Sequence, residues 1–257
     1  MLNAVFGLIL SFVLLEVGCG KSVDSPSTGT GAGTAASSGI GGSLARFTLA
    51  FNHLYMVDNN KLDVYDVNDP TNPVLKNTIW INSGIETIYP YQDKLFIGST
   101  TGMFIYSIAT PSDPVFVANA VHARSCDPVI ASGNYSYVTL RSGTPCGPAE
   151  DAFNVYNISD ITAPVLTASL ALPTPQGLGI QDNAVYVCLQ KNGLSVVDIS
   201  DPSTPIETKR IADADSFYDV IPVNDLLICY TNKGLALYDI KNRMDPSLIT
   251  KVANQHE

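Results

Sequence analysis

The feature that most constrains this chain is an internal repeat of about 41 residues, present in five copies. Each copy contains an apolar segment followed by a turn that ends in proline. The closing prolines are Pro73, Pro114, Pro164, Pro205 and Pro246. Their spacings are 41, 50, 41 and 41 residues, so one copy carries nine extra residues. A second set of equivalent positions, Met56, Ile97, Val138, Cys188 and Cys229, places that insertion in the third copy, between Val138 and Val155.

Each copy contains four short apolar or alternating runs, which in the fourth copy lie at 177–180, 184–189, 194–199 and 206–211. Asn, Gly and Pro residues separate these runs, which is typical of strands joined by turns. Four antiparallel strands repeated at this period predict an all-β fold, a five-bladed β-propeller over 44–257 with blades of about 41 residues. The repeats are in phase with the blades. We therefore expect the ring to close without a swapped strand, through side-chain packing between blades five and one.

The repeat line resembles the LVIVD-repeat family of bacterial propeller proteins. The most similar copy is 193–205, which reads Gly-Leu-Ser-Val-Val-Asp-Ile-Ser-Asp-Pro-Ser-Thr-Pro, and the resemblance extends over 45–252. It implies a secreted or surface-anchored propeller, often a lipoprotein. The motif describes blades and carries no chemistry, so the recurring Asp66, Asp198 and Asp239 are expected to stabilise turns.

The N-terminal residues predict an export signal. Residues 4–15 form an uncharged run of twelve, too short to span about 30 Å of hydrocarbon at 1.5 Å per residue. Gly18-Cys19 follows, and this end resembles a bacterial lipoprotein signal, in which the cysteine becomes the lipidated first residue. The alternative is an ordinary secretory peptide cut elsewhere.

The segment after Cys19 is rich in small polar residues. From Gly20 to Ser43, 16 of 24 residues are Gly, Ser or Thr, which is typical of a tether. We expect a signal peptide at 1–18, a lipidated Cys19 with its tether at 19–43, and the propeller at 44–257. The expected location is the cell envelope, at a membrane that is expected to be the outer one.

Two other cysteines fall at the same edge of one blade. Cys126 comes just before the first strand of the third blade, and Cys146 lies in its enlarged hairpin. An exported protein permits disulfides, so we predict a Cys126–Cys146 bond that stabilises the fold by roughly 3 kcal/mol. The alternative is two free thiols. Cys188 and Cys229 occupy the same repeat position in adjacent blades, where we expect small apolar core residues and no bond between them.

Charge and composition bear on the class of partner. The chain has 24 acidic and 14 basic residues, a net charge of −10, so binding to nucleic acid is not expected. The expected partner is a protein or glycan of the envelope, bound by a monomer. The predicted contact face carries the 139–154 hairpin with Arg141, Glu150 and Asp151, since a functional loop is the usual reason for interrupting a regular repeat.

A candidate ligand or ion site lies at the mouth of the axial channel. Glu86, Asp127 and Asp219 all fall near the start of a blade's first strand, on the face that carries the long hairpin. Such a cluster would hold Ca²⁺ or, with two carboxylates about 5–9 Å apart, hydrolyse a glycan. The alternative is that these acids are merely solvated. We therefore predict a non-catalytic binding or scaffolding module without a cofactor. A glycan-active hydrolase or lyase is the competing class.

Overall fold

The five repeats fold into five separate four-stranded antiparallel sheets, the blades. The structure is a computed structural model that describes residues 42–81, 84–121, 128–143 and 150–254. All of these belong to the compact unit formed by 35–257. No α-helix occurs in these four ranges, and thus none that is long and apolar enough to cross a bilayer. Cys19, Cys126, Asp127 and Cys146 lie outside the described residues.

Each blade consists of four strands that are consecutive in the chain and paired in order. The strands of blade 1 are β1 (Phe47–Ala50), β2 (His53–Asp58), β3 (Lys61–Asp66) and β4 (Val74–Trp80). Those of blade 2 are β5 (Ile85–Tyr91), β6 (Lys94–Ser99), β7 (Gly102–Ser107) and β8 (Val115–Val121). Those of blade 3 are β9 (Val129–Ser132), β10 (Tyr135–Leu140), β11 (Ala152–Asn157) and β12 (Val165–Ala171).

The last two blades repeat the pattern. Blade 4 contains β13 (Leu178–Gln181), β14 (Ala184–Cys188), β15 (Leu194–Asp198) and β16 (Ile206–Ile211). Blade 5 contains β17 (Phe217–Val223), β18 (Leu226–Thr231), β19 (Gly234–Asp239) and β20 (Ser247–Ala253). The predicted five-bladed architecture is confirmed. Among the twenty described strands none is exchanged between blades, as expected from the phase of the repeats.

The recurring aspartates stabilise the loop between the third and fourth strands. Asp198 accepts a hydrogen bond of 2.8 Å from the backbone N–H of Ser200, and Asp66 and Asp239 make the equivalent bond. Asp201 then accepts the N–H of Ser203 at 3.0 Å in the same loop. Their predicted role in turns is confirmed, because these carboxylates accept hydrogen bonds from N–H groups that the chain reversal leaves without a backbone partner.

Each blade has two apolar faces, which we call forward and rear. The forward face packs on the next blade; in blade 4 it carries Tyr186, Leu194 and Val196. The rear face packs on the preceding blade; in blade 4 it carries Val187 and Val197. Because side chains alternate along a strand, one run of apolar residues supplies both faces.

Four apolar clusters join the blades in sequence: 1 with 2, 2 with 3, 3 with 4, and 4 with 5. No such cluster joins blade 5 to blade 1 in the described parts of the chain. The expectation that these two blades close the ring by side-chain packing was therefore wrong. The forward face of blade 5 and the rear face of blade 1 stay partly exposed.

Cys188 and Cys229 are free and buried, as expected, but they do not occupy equivalent positions. Cys188 pairs with Leu194 across its hairpin, and it lies on the forward face of blade 4. Cys229 pairs with Ala236 and lies on the rear face of blade 5, in the same cluster. The β14–β15 hairpin is one residue longer than the β18–β19 hairpin, so the strand positions shift while the proline spacing stays at 41.

Candidate functional site

Asp219, one of the three predicted acids, lies at the axial end of blade 5 and binds the chain's own N-terminal segment. The hydroxyl of Ser43 donates to its carboxylate at 3.4 Å, and the backbone N–H groups of Ser43 and Leu44 also donate to it. Ser43 Oγ in turn accepts the N–H of Leu178 at 2.7 Å. Ala45 accepts the N–H of Ile88 at 2.9 Å. The residues before β1 therefore link blades 2, 4 and 5 at the axis.

Burial dominates the electrostatics of Asp219. Loss of solvent raises its pKa from 3.8 to about 6, although four hydrogen-bond donors favour the charged form. A carboxyl group with this pKa suits proton transfer near neutral pH. Its oxygens, however, are engaged by Ser43, Leu44 and Val220, so its first role in this structure is to hold the chain at the axis.

Glu86, the second predicted acid, lies in a different environment. It lines a cavity of about 460 Å³ between blades 1 and 2, together with Arg46, Asp58 and Thr100. The guanidinium of Arg46 donates to the Ile85 carbonyl at 3.1 Å, which fixes one wall of the cavity. These mixed charges and hydroxyl groups would suit a small polar molecule.

The structure does not bring Glu86 and Asp219 together in one cavity, since Asp219 does not line the cavity that holds Glu86. Asp127 lies outside the described residues. Within the described ranges, no group of three His, Cys, Asp or Glu side chains is arranged to hold a metal ion. The carboxylate pair that a glycan hydrolase needs therefore stays a prediction.

The enlarged hairpin of blade 3 is fixed at its base by Asp151. This carboxylate accepts the N–H and the hydroxyl of Ser142 at 2.7 and 2.8 Å, across the hairpin. Its second oxygen accepts the N–H of Thr174, in the β12–β13 loop, at 2.7 Å. Partial burial opposes ionisation, but these bonds and the charge of Arg141 outweigh it and lower the pKa of Asp151. Glu150, next to it, is exposed.

Thr174 extends this network to blade 4. Its hydroxyl donates to the carbonyl of Leu189 at 2.9 Å and accepts from the Asn192 amide at 2.9 Å, both in the β14–β15 hairpin. Its backbone has φ +47°, a left-handed conformation that is costly for a β-branched residue, and Pro175 follows it. Three hydrogen bonds hold it there.

We call this surface, formed by the β10–β11 hairpin, the β12–β13 loop and the β14–β15 hairpin, the hairpin face. Sequence reasoning identified Arg141, Glu150 and Asp151, which lie here. It missed Thr174, although the Pro-Thr-Pro run at 173–175 is an available signal of a constrained loop. It also missed Ser43, whose role depends on distant strands that no local pattern shows.

Replacing Asp151 with alanine should loosen the hairpin face. We expect the free energy of unfolding to fall by about 2 kcal/mol, because three donors, two of them backbone groups, lose a charged acceptor. Urea denaturation measures the change. The matched control is Asp93→Ala, which removes a half-exposed ion pair with Lys94 and should change the stability by less than about 1 kcal/mol. Equal effects of the two substitutions would contradict the assigned role of Asp151.

Comparison with known proteins agrees with the fold. The LVIVD repeat family matches residues 48–79, which are blade 1, and residues 176–213, which are blade 4. These are the two copies with the clearest sequence pattern. The chain is a β-propeller that contains LVIVD repeats. No curated protein matches its sequence.

Several solved structures resemble this LVIVD-repeat propeller in fold. A functionally unknown protein from Desulfotomaculum acetoxidans has a TM-score of 0.65 at 11% identity, covering 79% of this chain and 66% of its own. The periplasmic gluconolactonase PpgL of Pseudomonas aeruginosa has a TM-score of 0.59 at 12% identity, covering 79% and 67%. Apo AztD from Citrobacter koseri has a TM-score of 0.56 at 11% identity, covering 78% and 59%. The LVIVD-repeat propeller thus spans about three fifths to two thirds of these chains.

Proposed function

We propose that this protein is an exported binding module that is anchored by a lipid at Cys19 and uses its hairpin face to bind a protein or glycan of the cell envelope. The observation that carries the proposal is the held conformation of Thr174. Strained backbone persists only where its surroundings over-determine it, and such residues cluster at functional sites. Here the strained residue is hydrogen-bonded to Asp151, at the base of the hairpin that carries the nine-residue insertion.

The polar network of the hairpin face favours binding through a surface that is already formed in the free protein. Asp151 and Thr174 connect three loops from two blades, so their relative positions are set before a partner arrives. A pre-organised surface loses less conformational entropy on association. Arg141 and Glu150 contribute opposite charges beside the hairpin, which would orient a polar partner.

Shortening the hairpin tests the binding role. We expect replacement of 142–150 by a two-residue turn to abolish cross-linking to an envelope partner on intact cells, because this segment supplies the residues by which the third repeat exceeds the others. The matched control is Asn72→Lys, an exposed position in the loop between β3 and β4, at the opposite end of a blade. Circular dichroism should show that both variants keep their strands. Unchanged capture by the shortened variant would refute the proposal.

Anchoring is tested separately. The apolar run at 4–15 followed by Gly18-Cys19 supports lipidation, and the shared fold of a periplasmic protein is consistent with export. We expect Cys19→Ser to eliminate incorporation of labelled fatty acid and to release the protein from membranes, because a single thiol carries the lipid. Cys188→Ser serves as the control, since this thiol is buried in the core. Labelling that persists in Cys19→Ser would contradict the lipid assignment.

A further inference from the structure

Blades 1 and 5, the first and last in the chain, each have one face whose residues are more exposed than the equivalent residues of the other blades. On the forward faces, one position is filled in turn by Leu62, Met103, Phe153, Leu194 and Leu235. In blades 1 to 4 its exposure is at most 1%, whereas Leu235 in blade 5 is 39% exposed. Leu235 is also the same amino acid as the buried Leu62 and Leu194. Blade 5 therefore presents a core residue without a blade to cover it.

The rear faces show the complementary pattern. Their equivalent residues are Met56, Ile97, Val138, Val187 and Cys229. Those in blades 2 to 5 are fully buried, whereas Met56 in blade 1 is 42% exposed. Phe47, which pairs with Met56, is 61% exposed. Apolar side chains of the kind that form the core elsewhere are thus partly exposed to solvent on the rear face of blade 1.

Burial of these two faces would be favourable. Tyr230 adds to the blade 5 face with an exposure of 52%, and Leu49 adds to the blade 1 face with 46%. Apolar area removed from water contributes roughly 25 cal/mol per Å². Contiguous exposed apolar surface of this kind typically marks an interaction site in a soluble domain.

We propose that a second copy of this chain covers these faces, with the forward face of blade 5 in one copy packed on the rear face of blade 1 in the next. This contact would continue an interface that the molecule already uses between its own blades. Forward faces pack on rear faces four times within the chain, and each copy carries one unused face of each kind. A second copy therefore offers the surface that each of them already fits.

One polar pair lies within the proposed contact and is compatible with it. Asp63 occupies the rear-face position that Phe104 holds in blade 2, and it binds Lys61 at 2.7 Å and Thr78 at 2.7 Å. The equivalent residues in blades 3 and 4 are Asn154 and Ser195, both buried in internal interfaces. Neutral polar side chains at this position are thus buried in two internal interfaces, and the proposed contact would bury Asp63 together with its two partners, Lys61 and Thr78.

The contact is head-to-tail, so its two surfaces are different. Such an interface builds a ring or an open chain of subunits, depending on the rotation between copies. This proposal replaces the monomer expected from the sequence. It does not depend on the hairpin face or on the lipid.

The decisive experiment uses two variants of the full chain in detergent micelles, studied by sedimentation velocity over a wide range of protein concentration. Leu235→Glu places a charge on the forward face of blade 5, and Met56→Glu places one on the rear face of blade 1. We expect the unmodified chain to self-associate and each variant alone to be monomeric. Val165→Glu, at a 61% exposed position on the outer strand β12, is the control and should associate normally.

Mixing the two variants tests the head-to-tail arrangement. Met56→Glu keeps an intact forward face and Leu235→Glu keeps an intact rear face, so the mixture should form a 1:1 complex that grows no further. Formation of this complex also shows that both variants are folded. An unmodified chain that stays monomeric at all concentrations overturns the proposal, and so does a mixture that fails to pair.

Discussion

Leu194→Ala is expected to lower the free energy of unfolding by about 2–5 kcal/mol. Leu194 is fully buried in the cluster between blades 4 and 5, so its truncation loses apolar transfer energy and leaves a cavity. The same substitution at the equivalent Leu235 should cost less than about 1 kcal/mol in dilute protein, because that side chain is already partly in water. Chemical denaturation at low protein concentration measures both changes.

This matched pair also bears on the proposed contact between copies. If a second copy covers Leu235, the cost of Leu235→Ala should increase with protein concentration, because association stabilises only the folded state. The cost of Leu194→Ala should not depend on concentration. Equal, concentration-independent losses at both positions would mean that blade 5 is packed within its own molecule, against the arrangement described above.

The second large effect concerns pH. The pKa of Asp219 is raised by burial to about 6 from 3.8, so the folded protein binds this proton more tightly than the unfolded chain. Its contribution to stability is therefore complete below about pH 4 and is lost as the pH rises through about 6. A difference of this size corresponds to about 3 kcal/mol. Relative to the unmodified chain, Asp219→Asn should gain about that much stability between pH 4 and pH 7.

Asp151→Asn provides a control in which the carboxylate affects stability with the opposite dependence on pH. Hydrogen bonds lower the pKa of Asp151, so this carboxylate stabilises the fold above its unfolded pKa, and the benefit is lost as the pH falls through the lower folded value. The stability difference between Asp151→Asn and the unmodified chain should thus shrink in acid and stay flat from pH 5 to 7. Parallel stability curves for Asp219→Asn and the unmodified chain between pH 4 and 7 would argue against a buried, ionised Asp219.

The sequence predicts the blades well because each blade is formed by four strands that are consecutive in the chain. Prolines at a fixed spacing and alternating apolar runs determine where strands start and stop, and the pairing of consecutive strands needs no distant information. The contacts between blades are harder to predict. Leu62 and Leu235 are identical residues at equivalent positions, yet only Leu62 is covered, since the neighbouring blade decides burial.

Two features of the candidate site show where sequence reasoning loses accuracy. The one-residue extension of the β14–β15 hairpin leaves the proline spacing unchanged, so the spacing gave Cys188 the same repeat position as Cys229 although the two are not equivalent. Asp219 was singled out by its position at the start of a blade's first strand. Its partner Ser43, however, is 176 positions away in the chain, and no pattern in the repeat links the two.

The position of Ser43 also sets the side on which the described chain enters the propeller. Gly42 and Ser43 lie at the axial end where β13 and β17 begin, which is the side that carries the hairpins. If Cys19 carries the proposed lipid, a Gly/Ser-rich tether of the length between Cys19 and Gly42 would span about 27 Å on average. A tether that leaves from this side would favour orientations in which the hairpins lie near the lipid headgroups. Its partner would then meet it in the narrow aqueous layer next to the bilayer.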